Sequence, residues 1–310
     1  MDLPNYNLIA IVGTTASGKT QLGVQLARQF GGEIIAADSR QVYRGLDLAS
    51  GKDLGEYEAD GPPVPYHLID TEDLETEYNV FAYQRDFFRT FEVLTDRDAL
   101  PILVGGSGLY IEAAFSEERM VEVPVNDGWR AEASSMEDSA LEARLRCAKS
   151  SLHNTTDLTD RARTIRAIEI AEYVAQHAPD SAPDIRPLIL GIRVEKEILH
   201  RQIRERLVTR IDGGLVEEIE GVLASGVPRE KLDFLGLEFR YVLNYLEGDI
   251  KNKNDLIQKL TSAIIEFTRK QSKWFRRMER RGATIHWIHG PDAHAAIEII
   301  SNAFPDRKTN

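Results

Sequence analysis

The chain has 310 residues, of which 42% are hydrophobic and 28% charged, a composition typical of a globular protein with a sizeable core. Its single cysteine, Cys147, excludes an internal disulfide framework and a multi-cysteine zinc site. The formal net charge of −12 argues against a surface that is basic throughout, although a local basic face remains compatible with it. No basic leader with a long apolar segment opens the sequence and no long apolar run follows, so we expect a cytoplasmic protein without a membrane span.

Short apolar runs alternate with amphipathic stretches along much of the chain. The predicted elements are strands over 8–12, 33–37, 66–69, 100–104, 188–194 and 284–288, and helices over 20–30 and 81–94. Strands separated by helices indicate βαβ units. We therefore expect an α/β fold in which helices cover both faces of a parallel sheet.

Residues 126–154 interrupt this alternation, because they are polar, rich in alanine and without a strand candidate. We predict a small helical insertion there, on a core domain formed by 1–125 and 155–310. A loop with three prolines, over 176–187, returns the chain to the sheet.

A predicted helix over 262–281 carries two different stripes of side chains. The stripe that we expect to face the core contains Ile264, Phe267, Gln271, Trp274 and Met278. The second stripe is cationic and consists of Arg269, Lys273, Arg276, Arg277 and Arg280, with Lys270 and Arg281 beside it. A solvated helix face is the ordinary interpretation, but so one-sided a cluster in an acidic chain favours a polyanion as its partner.

Residues 13–20 match the pattern G-x-x-x-x-G-K-[ST] between a predicted strand and a predicted helix. Backbone N–H groups of such a loop form an anion-binding nest at a helix N-terminus, which predicts a P-loop NTPase-like fold. Lys19 should reach the outer phosphate, and the Thr20 hydroxyl should bind Mg²⁺. The predicted phosphate-binding residues are Gly13, Thr15, Ala16, Ser17, Gly18, Lys19 and Thr20.

The loop alone does not identify a reaction, because GTPases, ATPases, kinases and some transferases share it. Asp70, at the end of the predicted strand 66–69, could hold Mg²⁺ in a kinase. Asp38 follows the strand 33–37 and could accept a proton or bind magnesium, or it could cap a helix. Ser107 lies in a glycine loop after the strand 100–104 and could donate to a phosphate, or the loop could be a tight turn.

Taken together, these segments resemble one family, the tRNA dimethylallyltransferases, also called tRNA isopentenyltransferases. The family's Gly-x-Thr-Ala-Ser-Gly-Lys-Thr is met at 13–20 and its Asp-Ser-x-Gln-Val-Tyr-x-Gly at 38–45. Its His-Leu-Ile-Asp is met at 67–70, and its Gly-Gly-Thr-Gly-Leu-Tyr at 105–110 with Ser107 in place of threonine. A later Arg-x-x-Arg-Ala-x-Glu is met at 163–169, and the basic helix is similar to the family's late helical signature.

The resemblance implies transfer of a dimethylallyl group from dimethylallyl diphosphate to N6 of an adenosine beside the anticodon of a tRNA, with Mg²⁺. It implies that the loop 13–20 holds a leaving diphosphate rather than ATP. Lys19 would stabilise that group, Ser107 would contact the oxygen of the breaking bond, and Asp38 would accept the proton from N6. The tRNA-binding residues that it implies are Asp38, Ser39, Arg40, Gln41, Arg130, Arg163 and Arg166.

Two departures from the family pattern bear on tRNA choice and on any active-site arginine near Gly236. The chain reads Gly-Leu-Glu-Phe at 236–239, where the family usually has Gly-Tyr followed by a basic residue and an acid. It also reads Ala-Ser-Gly-Lys-Asp at 49–53 in place of Gly-Thr-Ala-Lys-Pro, and so keeps Lys52.

Three alternatives remain open: a prenyltransferase acting on free adenylate, a P-loop small-molecule kinase, and a nucleotide-gated RNA-binding module. The sequence does not determine the oligomeric state, and we expect a monomer with no membrane partner.

Overall fold

The computed structural model of the protein describes residues 6–148 and 160–304. The elements at the start of the chain are β1 (Leu8–Gly13), α1 (Lys19–Phe30), β2 (Gly32–Ala37), α2 (Asp47–Ser50), α3 (Gly55–Glu58), β3 (Tyr66–His67), α4 (Val80–Asp96), β4 (Leu100–Gly105) and α5 (Gly108–Ala114). Three helices follow, α6 (Asp127–Ser134), α7 (Asp138–Ala148) and α8 (Arg161–Gln176). The remaining elements are β5 (Pro187–Arg193), α9 (Lys196–Asp212), α10 (Leu215–Ala224), α11 (Arg229–Leu235), α12 (Leu237–Leu246), α13 (Lys253–Arg280), β6 (Ile285–His289) and α14 (Ala293–Ala303).

The chain forms two compact units. The first contains the chain up to Phe115 and again from Pro183, and the second contains Ser116–Ala182. The predicted insertion at 126–154 falls inside the second unit, whose bounds are wider on both sides, and its residues 149–154 lie outside the described residues. The unit is wider because α8, which the sequence analysis placed in the core domain, packs against α6 and α7.

The first unit is built on a six-stranded sheet in the order β3-β2-β4-β1-β5-β6, with every pairing parallel. All residues of β1 and β4 are buried, as expected for central strands with helices on both sides. On one face, Ile9 and Ile11 join a core with residues of α1 and α14. Helices α4 and α13 contact the sheet as well, and the predicted P-loop NTPase-like α/β fold is confirmed.

Three strands of this sheet end at the same level. Gly105, the last residue of β4, pairs with Val12 of β1 on one side and with Ala37 of β2 on the other. The loops that follow these strands therefore begin beside one another, at the carboxyl edge where parallel α/β sheets bind ligands. This register positions the candidate site.

The edge strand β3 is shorter than predicted. It includes Tyr66 and His67, whereas the sequence predicted a strand over 66–69. Leu68 and Asp70 have φ angles of 61° and 53°, in the left-handed region that an extended strand cannot use. Local backbone geometry thus ends the strand early, and the apolar side chains of Leu68 and Ile69 are buried from a loop.

The basic helix is longer than predicted, and its buried stripe is different. Helix α13 begins after Asn252, whose side-chain oxygen accepts a hydrogen bond from the Asp255 N–H at 3.0 Å. Its buried positions in the region of the predicted stripe are Ile264, Thr268, Gln271, Phe275 and Met278. The prediction that Phe267 faces the core was wrong, since this side chain is 43% exposed. Trp274 is half-buried rather than buried.

The second unit contains α6, α7 and α8 around a small core. Its buried residues are Trp129, Ala133, Leu141, Leu145, Ala167 and Ile168. The guanidinium of Arg144 lies 4.0 Å from the centre of the Trp129 ring and pairs with Glu172. The core of this unit has few apolar residues. The cation–π contact with Trp129 and the ion pair with Glu172 add to its stability.

A helix that crosses a bilayer must be both long and apolar. Across residues 6–148 and 160–304, no helix is suited to crossing a membrane.

Candidate active site

A cleft of about 530 Å³ opens at the carboxyl edge of the sheet in the first unit. Its walls come from the loops after β1, β2 and β4, from α9, from the α11–α12 junction and from α13. Predicted site residues that line it are Thr15, Ala16, Ser17, Gly18, Lys19, Thr20, Asp38, Ser39, Arg40, Gln41 and Ser107. The structure thus brings the residues of three separate motifs to one cavity.

The loop after β1 has the backbone of an anion site. Ala16 and Gly18 have φ angles of 60° and 84°, and Gly18 is the N-cap of α1 without any side-chain cap bond. The first amides of α1 are therefore left without side-chain caps and can bind an anion, supported by the positive end of the helix dipole. A Cβ at Gly13 would lie 2.9 Å from the Ser17 Oγ and 3.2 Å from the Ile192 carbonyl oxygen, so the loop needs glycine there.

Lys19 is the first residue of α1, and its ammonium group donates to the Thr14 carbonyl oxygen of the loop at 2.6 Å. Burial, and after it the positive charge of Arg206, lower the pKa of Lys19 from 10.5 to about 8. Asp38 and Glu56 oppose that shift through their negative charges. Lys19 therefore carries an incompletely compensated charge, which an arriving anion would stabilise.

Asp38 follows β2 and is half-buried at the cleft. Its Oδ1 accepts a hydrogen bond from the Arg40 N–H at 2.9 Å, which closes a tight turn and leaves Oδ2 outside that bond. The Gln41 amide donates to the Gly51 carbonyl oxygen at 3.0 Å, and the Arg40 guanidinium donates to the Phe234 carbonyl oxygen at 3.3 Å. The turn thus fixes the carboxylate while its neighbours tie the loop to the cleft walls.

Ser107 stands at the N-terminus of α5, in the loop that follows β4. Its backbone N–H donates to the Ala37 carbonyl oxygen at 3.4 Å, so it is tied to the end of β2. Ser107 is the N-cap residue of α5 and its hydroxyl makes no cap bond. The hydroxyl is therefore available to a ligand in the cleft.

Two arginines of α9 line the cleft and were missed by the sequence analysis. Arg206 donates to the Gly51 carbonyl oxygen at 3.0 Å, to the Thr15 hydroxyl at 3.4 Å, and to the Asp53 carboxylate. Arg210, one helical turn later, is only 7% exposed and donates to the Leu48 carbonyl oxygen. A signal existed, since arginines four residues apart on the helix after a strand share one face.

The unusual segment at 236–239 contributes an acid to the same wall. Glu238 lies 3.4 Å from a guanidinium nitrogen of Arg210. The cations of this wall therefore come from α9 rather than from the residue after Gly236 and Leu237. The acid that departs from the family pattern, Glu238, is thus paired with a cation of α9.

Gln271 of α13 was assigned to the core stripe, and the structure places it between two loops of the cleft. Its Oε1 accepts from the Thr15 N–H at 2.9 Å, and its Nε2 donates to the Gly106 carbonyl oxygen at 3.0 Å. The sequence signal was its position as the one polar side chain in an apolar stripe. That signal identifies a buried polar group but not its partners.

Asp70, the candidate magnesium ligand of a kinase, lies outside the residues that line the cleft. Its carboxylate pairs with the Lys52 ammonium group at 2.5 Å, and Lys52 is 1% exposed. Asp47 pairs with the same ammonium group at 2.7 Å. The strand β3 before Asp70 is separated from β1 by β2 and β4, so the structure does not bring Asp70 to the phosphate loop.

The remaining predicted tRNA contacts, Arg130, Arg163 and Arg166, lie in the second unit. Arg130 and Arg166 both pair with Glu169. Burial raises the pKa of Glu169, but hydrogen bonds from Arg166, from the Asn126 N–H and from Arg130 outweigh it, so the pKa is lowered. Arg163 is more exposed and lies 3.7 Å from Asp160. Two of the three arginines thus already share a buried acid.

The cationic stripe of α13 divides into paired and exposed members. Arg277 donates to the Glu112 carboxylate at 3.0 Å and lies 3.8 Å from the centre of the Trp274 ring. Lys273 and Arg276 are exposed. Arg277 therefore fastens α13 to α5, while the exposed members remain open to solvent.

Comparisons with known proteins agree on one family. The IPP transferase model matches residues 41–278, and the isopentenyl transferase model matches residues 6–59. A protein of Geotalea uraniireducens named tRNA dimethylallyltransferase 1 is 52% identical over 96% of this chain and 99% of its own length. One of Trichlorobacter lovleyi named tRNA dimethylallyltransferase 2 is 51% identical over 96% and 97%.

Solved structures give the same picture of the fold. The tRNA isopentenylpyrophosphate transferase of Bacillus halodurans superposes with a TM-score of 0.69 at 27% identity, over 97% of this chain and 96% of that one. A eukaryotic dimethylallyltransferase crystallised while acting on tRNA superposes with a TM-score of 0.80 over 98% and 81%. At 21% identity, the second match speaks for the fold alone.

Proposed function

We propose that this chain, which belongs to the IPP transferase family, transfers the dimethylallyl group of dimethylallyl diphosphate to N6 of an adenosine beside the anticodon of tRNA. The observation that carries the chemistry is the common level at which β1, β2 and β4 end. Because of it, an anion-binding loop, a carboxylate and a hydroxyl face one cleft.

The loop 13–20 binds the diphosphate as a leaving group. As the bond between the allylic carbon and its oxygen breaks, negative charge develops on that oxygen. The amides at the start of α1 and the Lys19 ammonium group stabilise this charge. Arg206, beside Thr15 and Lys19, adds a second cation at the same place.

Asp38 and Ser107 act on the two ends of the transfer. The N6 nitrogen attacks the allylic carbon, a new C–N bond forms, and Asp38 accepts the proton that N6 releases. The Ser107 hydroxyl donates to the bridging oxygen as it leaves with the diphosphate. The tie between the Ser107 N–H and Ala37, the residue before Asp38, supports this division of roles because it holds both groups at one edge.

Magnesium fits this cleft as a partner of the diphosphate rather than as an ion caged by protein. Mg²⁺ keeps several waters and needs only one or two protein oxygens when phosphates are present. Within residues 6–148 and 160–304, no group of three or more His, Cys, Asp or Glu is arranged to hold a metal. The Thr20 hydroxyl is the oxygen that we assign to it, and a bound Mg²⁺ would offset diphosphate charge.

We assign tRNA-binding residues within each unit by itself. In the first unit we assign Asp38, Ser39, Arg40 and Gln41, which line the cleft that the adenine enters. In the second unit we assign Arg130, Arg163 and Arg166. The target base must leave the anticodon-loop stack to reach Asp38, as in other enzymes that modify bases.

Two alternatives are less well supported. A kinase needs a second acid near the phosphate loop, and Asp70 is held by Lys52 instead. An adenylate prenyltransferase shares the loop and Asp38, but the relatives that match most of the chain are named for tRNA.

The test is an incubation of the protein with radiolabelled dimethylallyl diphosphate and either tRNA or AMP. We expect label in tRNA, and a loss of about 10²-fold to 10⁴-fold in the rate for Asp38→Asn, the range for removal of a general base. Asn keeps an oxygen for the Arg40 N–H, so the turn survives. Asp212→Asn is the matched control, since Asp212 pairs with Lys253 on the surface.

Label confined to AMP, or ATP hydrolysis without prenyl transfer, would contradict the proposed function. Full activity of Asp38→Asn would remove Asp38 from the mechanism while leaving the function intact.

A further inference from the structure

Gln271 connects the two glycine loops of the cleft, although it lies on neither of them. Its carboxamide bridges the Thr15 N–H and the Gly106 carbonyl oxygen, with bonds of 2.9 Å and 3.0 Å. The residue is 8% exposed. Within this site it is therefore a buried polar group with a partner on each side.

The carboxamide can take only one orientation here. Its oxygen faces an N–H group and its nitrogen faces a carbonyl oxygen. A flipped carboxamide would place its NH2 group against the Thr15 N–H and its oxygen against the Gly106 carbonyl oxygen, and neither pair can form a hydrogen bond. A buried group with an unsatisfied partner costs about 1–3 kcal/mol, which disfavours that flip. Gln271 thus holds the two loops at a set separation.

The second loop is shaped to accept this helix. A Cβ at Gly106 would lie 2.6 Å from the Gln271 Nε2 and 3.0 Å from the Gly13 carbonyl oxygen. A Cβ at Gly108 would lie 2.2 Å from the Trp274 ring. The glycines on both sides of Ser107 therefore allow α13 to approach, in addition to any approach of a ligand.

We propose that Gln271 is a positioning residue for the transfer, and this proposal rests on the proposed function. It sets the distance between the loop that holds the leaving diphosphate and the loop that carries Ser107. It also accepts a hydrogen bond from the Thr15 N–H. This bond fixes the orientation of the Thr15 peptide in the phosphate loop. A misplacement of about 1 Å can cost about 10²-fold in rate. The two hydrogen bonds of Gln271 therefore affect the rate of the chemical step.

The test uses two substitutions of nearly the same size. Gln271→Met fills the space but makes neither hydrogen bond. Gln271→Glu keeps an acceptor for the Thr15 N–H but, when ionised, has no donor for the Gly106 carbonyl oxygen. We expect kcat to fall about 10-fold to 100-fold in both variants while the KM for tRNA stays within about twofold, since the tRNA contacts are untouched.

Acidification gives a readout that a merely structural role would not move. In the Gln271→Glu variant, the introduced carboxyl group, once protonated, can donate to the Gly106 carbonyl oxygen and accept from the Thr15 N–H. We expect the kcat ratio of this variant to wild type, taken at each pH, to rise as the pH falls. The Gln271→Met ratio should stay flat.

Thr268→Val is the matched control for stability. Thr268 is 5% exposed on the same face of α13, and its hydroxyl bonds to the Ile265 carbonyl oxygen of its own helix at 2.7 Å. We expect it to lower the melting temperature without a selective loss of kcat. Unchanged kcat in Gln271→Met, or an equal loss in Thr268→Val, would overturn the proposal, whereas an inactive wild type would overturn the proposed function instead.

Discussion

Lys19 gives the phosphate loop a titration close to neutral pH. Burial and the charge of Arg206 bring its pKa down to about 8, so the side chain loses its proton as the pH rises above that value. A bound diphosphate favours the charged form and is therefore bound more weakly when the proton has gone.

We expect the affinity for the non-reactive S-thiolo analogue of dimethylallyl diphosphate to be constant below about pH 8 and to fall by up to tenfold per pH unit above it. Isothermal titration calorimetry at pH 7, 8, 9 and 9.5 measures this fall. Lys19→Arg is the control, because arginine keeps its charge over this pH range. The affinity of this variant for the analogue should therefore not vary with pH. A flat profile for the wild type would show that Lys19 does not face the diphosphate.

At the residue scale, the sequence identifies the groups that carry local motifs. Lys19, Asp38 and Ser107 each follow a strand in a recognisable pattern, so their presence in one cleft follows from the parallel sheet. The sequence signals at Arg206 and Gln271, a shared helix face and a polar residue in an apolar stripe, do not identify their partners. Each residue reaches Thr15 across more than half of the chain, with sequence separations of 191 and 256 residues, so only the packing of helices shows that both belong to the cleft.

The contact between α13 and α5 is tight because glycine and tryptophan meet there. Trp274 lies over Gly108, and Arg277 covers the Trp274 ring while it pairs with Glu112. Long side chains of α13 thus pack against the start of a short helix that carries Ser107. Close packing of this kind tolerates little added volume.

We expect Gly108→Ala to destabilise the protein by about 1–3 kcal/mol, because its Cβ would collide with the Trp274 ring. Thermal or urea unfolding measures the change. Gly221→Ala in α10 is the control, since a Cβ there meets nothing within 4 Å and should stabilise the helix by about 0.5–1 kcal/mol. Equal stabilities for the two variants would mean that α13 does not lie against Gly108.

At the element scale, the periodicity of apolar residues predicted the central strands of the sheet more accurately than the bounds and buried stripe of the long helix α13. The central strands are continuous apolar runs, and a buried run between glycines indicates a strand with little ambiguity. Helix α13 begins earlier than the predicted helix. The prediction missed this start because a single capping residue, Asn252, signals it. The prediction also misplaced the buried stripe of this helix. Phe267 was assigned to the core because it is aromatic, whereas its side chain lines the cleft.

The charge of the whole molecule opposes its proposed partner. A net charge of −12 repels a polyanion at long range, so tRNA binding must rely on local cations that release counterions. The exposed members of the cationic stripe on α13 are Arg269, Lys273, Arg276 and Arg280, whereas Arg277 is half-buried and paired with Glu112. The sequence predicted this stripe correctly as cationic, but it could not separate paired from exposed members.

We expect the double variant Lys273→Gln, Arg276→Gln to bind tRNA more weakly and to reduce the slope of log affinity against log salt by about 1 to 2. Filter binding over a range of salt concentrations measures both quantities. Lys251→Gln with Lys253→Gln, near the other end of the same helix, removes equal charge and should leave the slope unchanged. Identical slopes for wild type and the Lys273 and Arg276 variant would exclude this face from the contact.

The bond between Gln271 and Thr15 has a consequence for how the protein is made. Translation delivers β1, β2 and β4 with their loops first, and α13 much later. When β5 has emerged from the ribosome, every motif of the phosphate site has been synthesised, but the Thr15 amide and the Gly106 carbonyl still lack their shared partner. A nascent chain stopped before residue 253 would carry both glycine loops of the cleft and still be without the Gln271 side chain that joins them.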